Sequence, residues 1–377
     1  MHGRLTALCV VLALGCGSKT GLLIPDADLP FDAGMDAGFD AGIDAPMCMP
    51  QPVELRQRGA QIMFVLDRSQ SMDDTMAGER RDPGDPRPSR WDVMADTFEA
   101  VFGGADPLLE IGAKIYPDAP DGFSTPEEAC NVDRGVNFAP AMDRAQRLVN
   151  LIRATTPMGG TPTGAALDEV ERFFSTRPAP GVPRFVVLAT DGGPNCRPDL
   201  DVDPTRCLCT GRPEQCSPAT AGIYAPYNCI DERRTLDVIA RLAPSMPVYV
   251  IGIDDPTRPD LADVLDRMAI AGGRPRDPDA GRRFYSVART ADLEDALTTI
   301  TDEIARCVFG LDPAIPPDAS LSVSIGDVLV ARDGTRSEGW DYTRADRAEL
   351  TLFGGACERL TATGGPITAE ILCDATE

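Results

Sequence analysis

Five oxygen-bearing side chains, spread over three polar segments, have the chemistry to hold one divalent cation. They are two carboxylates and three hydroxyls: Asp67, Ser69, Ser71, Thr161 and Asp191. Mg²⁺ favours octahedral coordination by hard oxygens and keeps some of its water ligands. Because hydroxyls bring no charge, an ion held by only two carboxylates stays electrophilic and can accept an acidic side chain from a partner. The predicted chemistry is therefore binding through Mg²⁺, with Mn²⁺ or Ca²⁺ as alternatives.

Each polar segment stands where a predicted strand ends or a predicted helix begins. The segment 67–71 reads DxSxS and follows the apolar run 62–66, and Asp191 comes soon after the apolar run 185–189. In a doubly wound sheet, ligand sites lie at the carboxyl ends of the strands, so these segments are expected to meet. Thr161 is preferred to Thr163 because it directly follows a glycine pair, but the sequence leaves that choice open.

The region 59–308 alternates short apolar runs with amphipathic stretches. This alternation predicts an α/β fold, a doubly wound and mostly parallel sheet with helices on both faces, similar to Rossmann folds. The predicted strands are 62–66, 109–116, 185–189, 248–253 and 283–287. Apolar spacing predicts helices over 91–102, 142–154, 164–174, 233–242, 261–271 and 291–307.

In chain order, these motifs resemble the metal-ion-dependent adhesion site of von Willebrand factor type A (VWA) domains, including the inserted domains of integrins. That family combines DxSxS with a threonine from a second loop and an aspartate from a third. The resemblance covers the region 59–308 and implies a VWA fold with the five oxygen ligands named above. It also implies a protein partner that offers an acidic side chain to the metal. The alternative is that these aspartates and hydroxyls only cap helices and turns.

Residues 1–15 have the form of a bacterial lipoprotein signal peptide. Arg4 precedes a short apolar run, and Ala13-Leu14-Gly15-Cys16 resembles the lipobox at which cleavage exposes a lipidated cysteine. The run is too short for a permanent membrane helix. We therefore expect an acyl anchor at Cys16 that holds the protein in the cell envelope, on the periplasmic side or at the cell surface. An ordinary secretory signal is the alternative.

Residues 16–58 are predicted to form an acyl-anchored flexible tether. A four-residue repeat places aspartates at regular intervals, each followed by alanine and then by glycine or proline: Asp32, Asp36, Asp40 and Asp44. Repeated glycine and aspartate disfavour a helix, so an extended flexible segment is expected. Calcium binding by these aspartates is the alternative to a solvated row of charges.

Cysteine usage predicts disulfides in an exported protein. Of the twelve cysteines, one lies in the signal peptide and one is the lipid site, which leaves an even number for pairing. Five fall in the proline-rich stretch 193–230, a Cys-rich insertion in the VWA-like domain, so at least one needs a partner elsewhere. Cys48 and Cys130 are the candidate partners. A zinc site around Cys207 and Cys209 is the alternative.

The final region, residues 309–377, has a different texture. Apolar and polar residues alternate in several short stretches, which predicts strands with one buried face. We therefore expect a small C-terminal β module that is stapled by some of three cysteines: Cys307, Cys357 and Cys373.

Charge and residue usage exclude several classes of function. A formal net charge of -23 argues against nucleic-acid binding, which needs basic side chains against the phosphates. The single histidine, His2, lies in the predicted signal peptide, so a histidine-based catalytic triad or zinc site is excluded from the mature chain. The sequence predicts a binding protein rather than an enzyme, one that captures a protein or glycan partner at the envelope. The alternatives are a structural lipoprotein with a stabilising ion and, less favoured, a metal-dependent hydrolase.

Overall fold

The computed structural model describes residues 50–57, 59–102, 109–178, 182–197, 203, 206–253, 258–336 and 338–372. The predicted signal peptide, the lipidation site Cys16 and the aspartate repeat lie outside these residues, as do Cys48 and Cys373. The strands are β1 Gln51–Gln57, β2 Ala60–Asp67, β3 Leu109–Tyr116, β4 Phe138–Ala141, β5 Arg184–Thr190, β6 Val248–Ile253, β7 Tyr285–Val287, β8 Val308–Asp312, β9 Ser320–Ile325, β10 Val328–Val330, β11 Gly339–Tyr342, β12 Glu349–Phe353 and β13 Ile367–Leu372.

The α-helices of the described ranges vary from one turn to almost five turns in length. They are α1 Arg90–Phe102, α2 Pro126–Ala129, α3 Ala145–Arg153, α4 Thr163–Ser175, α5 Pro218–Ala221, α6 Glu232–Leu242, α7 Pro259–Ala271, α8 Thr290–Arg306 and α9 Gly354–Thr363. Among these described helices, none has the length and hydropathy to cross a membrane.

In the described part of the chain, six strands form the sheet that carries the predicted metal site. Their order is β4-β3-β2-β5-β6-β7, with all neighbours parallel except the antiparallel edge pair β3 and β4. Side chains alternate across the faces of a strand, so Phe64 of β2 joins the buried cluster with α1, α3 and α8. Its neighbour Val65 joins the opposite cluster with α4, α6 and α7. This is the mostly parallel, doubly wound α/β sheet that the sequence predicts.

A second sheet contains seven antiparallel strands in the order β10-β9-β13-β1-β8-β12-β11. It is larger than the small C-terminal module predicted for 309–377, and it includes residues that the prediction assigned to the tether 16–58. Strand β1 lies between β13 and β8 and pairs with both. Only Val53 of β1 is buried, so the strand depends on backbone hydrogen bonds more than on an apolar pattern. This is why its sequence did not indicate a strand.

The two sheets are joined by α8 and by one buried arginine. Helix α8 leads directly into β8 of the second sheet. Arg274, which follows α7, is 3% exposed and donates from Nη1 to Glu303 Oε1 of α8 at 3.1 Å. Its guanidinium also lies 4.5 Å from the ring centroid of Phe353 in β12. The junction therefore contains a buried ion pair packed against an aromatic ring.

Four disulfides join described cysteines: Cys130–Cys196, Cys207–Cys229, Cys209–Cys216 and Cys307–Cys357. The partner that the insertion needs from outside 193–230 is Cys130, which confirms one of the two candidates. The sulfurs of Cys207 and Cys209 are each bonded to another sulfur, which favours the disulfide prediction over the zinc alternative.

Candidate metal site

Two adjacent parallel strands bring the first and third polar segments together. Strand β2 ends at Asp67 and its neighbour β5 ends at Thr190, so both segments leave the same edge of the sheet. The second segment is tied to the first by backbone hydrogen bonds. Met158 N donates to Arg68 O at 2.7 Å, and Gln70 N donates to Gly159 O at 3.1 Å. The structure therefore places all three segments at the carboxyl edge of the sheet.

A continuous hydrogen-bond network connects four of the five predicted ligands. Asp67 accepts from Ser69 N on Oδ1 at 2.8 Å and from Thr190 Oγ1 on Oδ2 at 2.6 Å. The hydroxyls of Ser69 and Ser71 are 3.2 Å apart, and Ser71 Oγ donates to Asp191 Oδ1 at 2.9 Å. Two carboxylates and two hydroxyls are thus assembled into one cluster of oxygens.

The fifth predicted ligand, Thr161, lines the cleft into which Ser69, Ser71 and Asp191 also face. Its hydroxyl makes no hydrogen bond to the described residues, whereas its backbone N donates to Asn195 Oδ1 at 2.7 Å. Thr163 is fully buried, and its hydroxyl lies 3.1 Å from the hydroxyl of Tyr116 in the core. The geometry therefore favours Thr161 over Thr163 as the threonine of the site.

A disulfide fixes the segment that carries Thr161. A Cβ at Gly160 would overlap Cys196 Sγ and would lie 3.1 Å from Cys130 Sγ, so the Cys130–Cys196 disulfide packs directly against this backbone. Gly159 adopts φ 83°, a left-handed conformation that other residues rarely tolerate. The glycine pair before Thr161 is thus required by backbone conformation at one position and by close packing at the next.

The surroundings of Asp67 disfavour the charged form of its carboxyl group. Asp67 is 0% exposed, and burial raises its pKa to about 7, with the nearby charge of Asp191 adding to the effect. Hydrogen bonds from Thr190 and Ser69 act in the opposite direction. A cation beside these oxygens would relieve both the burial penalty and the repulsion. The donor set, all hard oxygens with two carboxylates, therefore fits a magnesium-type ion.

Sequence reasoning missed Arg90, the first residue of α1. Its guanidinium contacts Asp191 Oδ2, and the two side chains are 5% and 0% exposed. The same guanidinium donates to Ser71 O at 3.3 Å. Arg90 and Asp191 are 101 residues apart in the chain, and an arginine at the start of a helix carries no local signal of such a contact. A positive charge is therefore built into the site.

The candidate site opens into a cleft of about 1390 Å³. Its floor contains Ser69, Ser71, Thr161 and Asp191. One side of the cleft is formed by the lining residues between 207 and 228, which we call the insertion wall. The Cys-rich insertion thus borders the candidate metal site instead of lying elsewhere on the domain.

No protein-family model and no curated relative matches the sequence. Among solved structures, the PilB minor pilin from Streptococcus sanguinis is 16% identical, with a TM-score of 0.42, over 66% of this chain and 62% of that chain. The pilus adhesin SpaC from Lactobacillus rhamnosus GG is 14% identical, with a TM-score of 0.43, over 83% of this chain and 39% of that chain. The vWF domain of the type V pili tip protein Mfa5 from Porphyromonas gingivalis is 14% identical, with a TM-score of 0.41, over 66% of this chain and 96% of that chain.

The match therefore spans less than two thirds of the pilin and about two fifths of SpaC. The doubly wound α/β fold of this domain rests on the chain's own sheet order and its two helix layers.

Proposed function

We propose that this protein is an envelope-anchored binding protein that captures a partner through a divalent cation, Mg²⁺ or Mn²⁺, with Ca²⁺ as a further candidate. The observation that carries the proposal is the oxygen cluster of Asp67, Ser69, Ser71 and Asp191, which opens into a large cleft beside Thr161. A divalent ion supplies an open coordination position that can accept a carboxylate from the partner.

The five residues have different parts in this proposal. Ser69, Ser71, Thr161 and Asp191 face the cleft and would hold the ion there. Asp67 is fully buried and accepts two hydrogen bonds, so it would fix the loop and supply negative charge from beneath. The partner is therefore expected to be a protein that offers an acidic side chain, with a glycan as the alternative.

The chemistry of the cleft supports binding better than hydrolysis. Among the described residues that line it, the charged side chains are only aspartates and arginines, and no histidine or lysine is present. The carboxylate of Asp191 is already engaged in an ion pair with Arg90. The competing proposal is a structural protein whose ion only stabilises the fold. The two proposals differ in whether removal of the ion abolishes partner binding.

The location of the protein belongs to the same proposal. Lipidation at Cys16 and a tether after it would hold the domain at the envelope, on the periplasmic side or the cell surface. Mass spectrometry of the mature N-terminus checks this: a diacylated or triacylated Cys16 is expected, and an unmodified residue at the mature N-terminus contradicts it.

Calorimetric titration of Mg²⁺ and Mn²⁺ into the mature chain tests the metal site. Three variants each remove one neutral hydroxyl: Ser69→Ala, Ser71→Ala and Thr161→Ala. Asp67→Ala and Asp191→Ala are expected to lose more affinity than these, because each removes one of the two negative charges among the proposed ligands. Asp73→Ala is the matched control, since Asp73 is close in sequence but pairs with Arg81 at 3.0 Å. Unchanged affinity in both aspartate variants refutes the site.

Partner capture from envelope extract, with and without chelator, separates the two functions. Capture that disappears with chelator or in Asp191→Ala, while the circular dichroism spectrum of the domain is unchanged, supports metal-mediated binding. Capture that persists under both conditions refutes that role and leaves the ion with a structural one.

A further inference from the structure

The insertion wall is rigidly attached to the candidate metal site. Cys209–Cys216 cross-links it internally, and Cys207–Cys229 ties it to the end of the insertion. Cys130–Cys196 links the start of the insertion to the 117–140 region and packs against the backbone of Gly160. Asn195 accepts from Thr161 N at 2.7 Å and donates from Nδ2 to Thr210 Oγ1 at 2.7 Å. One side chain therefore bridges a predicted metal ligand and the insertion wall.

Arg258, which lies just before α7, holds the same wall. Its guanidinium donates to three consecutive backbone carbonyls of the wall: Cys209 O at 2.6 Å, Thr210 O at 3.3 Å and Gly211 O at 2.9 Å. Asp260 accepts from this guanidinium at 2.8 Å and balances its charge. The backbone of residues 209–211 is thus held in place before any partner binds, which lowers the entropic cost of binding.

The next residue, Arg212, is exposed and lines the cleft. Its guanidinium has no hydrogen bond or ion pair with any described residue. The charged residues that line the described cleft are four arginines, Arg80, Arg90, Arg212 and Arg258, and three aspartates, Asp74, Asp191 and Asp260. The cleft therefore carries a formal charge of one positive unit even without an ion, although the whole chain carries -23. This contrast favours an acidic partner.

The size and apolar surface of the cleft indicate a peptide. Small-molecule pockets usually enclose about 300–1000 Å³, and this cleft encloses about 1390 Å³. Leu208, which is 40% exposed, and Tyr224 belong to the insertion wall, and both line the cleft. Apolar side chains beside a free arginine suit an acidic peptide with apolar residues better than an acidic glycan, which has little apolar surface to bury.

We propose that Arg212 forms a second anion-binding subsite beside the metal site, and that the partner segment is an extended acidic peptide with apolar residues between its carboxylates. One carboxylate binds the ion and another binds Arg212. This inference rests on the proposed function, because it assumes that the ion occupies the neighbouring oxygen cluster.

The probe is a fluorescent ten-residue peptide of alternating Asp and Leu, with an Asn-for-Asp counterpart as the uncharged control. Binding to the mature chain is measured by anisotropy in Mn²⁺ and in chelator, and Mn²⁺ affinity is measured separately by calorimetry. Arg212→Ala is expected to weaken binding of the acidic peptide about tenfold, as for loss of one charge-assisted hydrogen bond, and to leave Mn²⁺ affinity unchanged. Arg206→Ala is the matched control, since Arg206 is an exposed arginine of the same insertion that does not line the cleft.

The outcomes separate the two proposals. Absence of Mn²⁺ binding in the wild type refutes the proposed function itself. If Mn²⁺ binds normally, the subsite is overturned when the acidic peptide does not bind, or when Arg212→Ala and Arg206→Ala have equal effects. Binding of oligogalacturonate, but not of the peptide, with the same Arg212 dependence overturns the peptide in favour of an acidic glycan. Because Arg212 is exposed, its replacement should leave the melting temperature unchanged, and this is checked in parallel.

Discussion

Replacement of Arg90 by glutamine should increase the affinity of the site for divalent cations. The guanidinium contacts Asp191 inside the site, and the side chains of this pair are almost fully shielded from solvent. An ion that binds Asp191 must therefore either share the carboxylate with a positive charge or displace it. Glutamine retains hydrogen-bonding capacity and much of the volume but removes the charge.

The expected size of the effect follows from Coulomb's law. At an effective dielectric constant of about 20 and a separation of roughly 6 Å, one positive charge repels a divalent ion by about 5 kcal/mol. Arg90 can relieve part of this repulsion by moving toward the cleft, whose solvent screens the charge. We therefore expect a net gain of about 2 kcal/mol in Arg90→Gln, which corresponds to roughly thirtyfold tighter binding of Mn²⁺.

The same substitution should destabilise the protein when no ion is present. Removal of Arg90 leaves the buried carboxylate of Asp191 without its counterion, and breaking a buried ion pair in this way costs about 3 kcal/mol. The melting temperature in chelator should therefore fall. Addition of saturating Mn²⁺ should raise it by more in the variant than in the wild type, because the ion replaces the missing positive charge.

Calorimetric titration of Mn²⁺ into wild type, Arg90→Gln and Arg81→Gln measures the effect. Arg81 is the matched control because it pairs with Asp73 at 3.0 Å and has no contact with Asp191 among the described residues. Arg81→Gln should bind Mn²⁺ with the affinity of the wild type. Equal or weaker binding by Arg90→Gln would show that the arginine does not oppose the ion.

Three further predictions concern the empty site, its supporting loop and the junction of the sheets. In chelator, folded Asp67 keeps its proton up to about pH 7, whereas unfolded Asp67 loses it near 3.8; the free energy of unfolding should therefore fall as pH rises between these values. Urea denaturation at pH 5 and pH 8 should show a larger fall in wild type than in Asp67→Asn, and equal falls contradict this assignment. Gly160→Ala should weaken Mn²⁺ binding in calorimetry, because its Cβ would overlap a disulfide sulfur. Gly192→Ala is the control and should bind Mn²⁺ normally, because no atom lies within 4 Å of its Cβ. Equal affinities of the two variants would argue against the packing constraint. Arg274→Gln should lower the free energy of unfolding by about 3 kcal/mol, since it breaks a buried ion pair. Arg153→Gln, at exposed ion pairs with Asp96 and Glu99, should lower it by less than about 1 kcal/mol in the same denaturation assay, and a similar loss in both variants would count against the junction.

The six-stranded sheet was largely predictable because its strands are covered on both faces. Buried parallel strands are continuous apolar runs, and β5 was predicted at 185–189 and found at Arg184–Thr190. Helix α7 was predicted at 261–271 and begins two residues earlier, at Pro259, a residue that suits the first turn of a helix. Because the predicted strands are parallel, the polar segments at their carboxyl ends could be predicted to lie on one edge of the sheet.

Short or solvent-exposed strands gave no usable signal. Strand β4, Phe138–Ala141, lies in a stretch for which neither a strand nor a helix was predicted, and it contains Pro140. Proline is tolerated there because β4 is an edge strand, and Gly112 of β3 has no side chain to obstruct the proline ring. Strand β1 was assigned to the tether for a related reason, since most of its side chains are exposed on both faces.

The need for a disulfide from the insertion to the rest of the chain was predictable, but its partner was not. The insertion contains five cysteines, an odd number, so at least one must pair outside it if all are paired. The outside partner is determined by a tertiary contact, in which the 117–140 region approaches the glycine pair before Thr161. The spacing of the cysteines along the chain does not encode this contact. The contact between Arg90 and Asp191 is likewise a tertiary contact between residues far apart in the chain. The net charge of the site could therefore not be predicted from the five proposed ligands alone.

Strand β1 determines how force would reach the proposed binding site. If the chain is anchored at Cys16, as proposed, tension on the tether acts on β1, which is paired on one side through Gln51–Val53 and on the other through Glu54–Gln57. Pulling along an inner strand must shear both sets of hydrogen bonds together, whereas an edge strand could be peeled away one bond at a time. Strand β2 begins three residues after β1 ends and leads directly to Asp67 at the metal site. Strand β1 of the second sheet therefore lies between the anchor and the site along the chain, where its two sets of hydrogen bonds would resist tension before that tension reached the ligands.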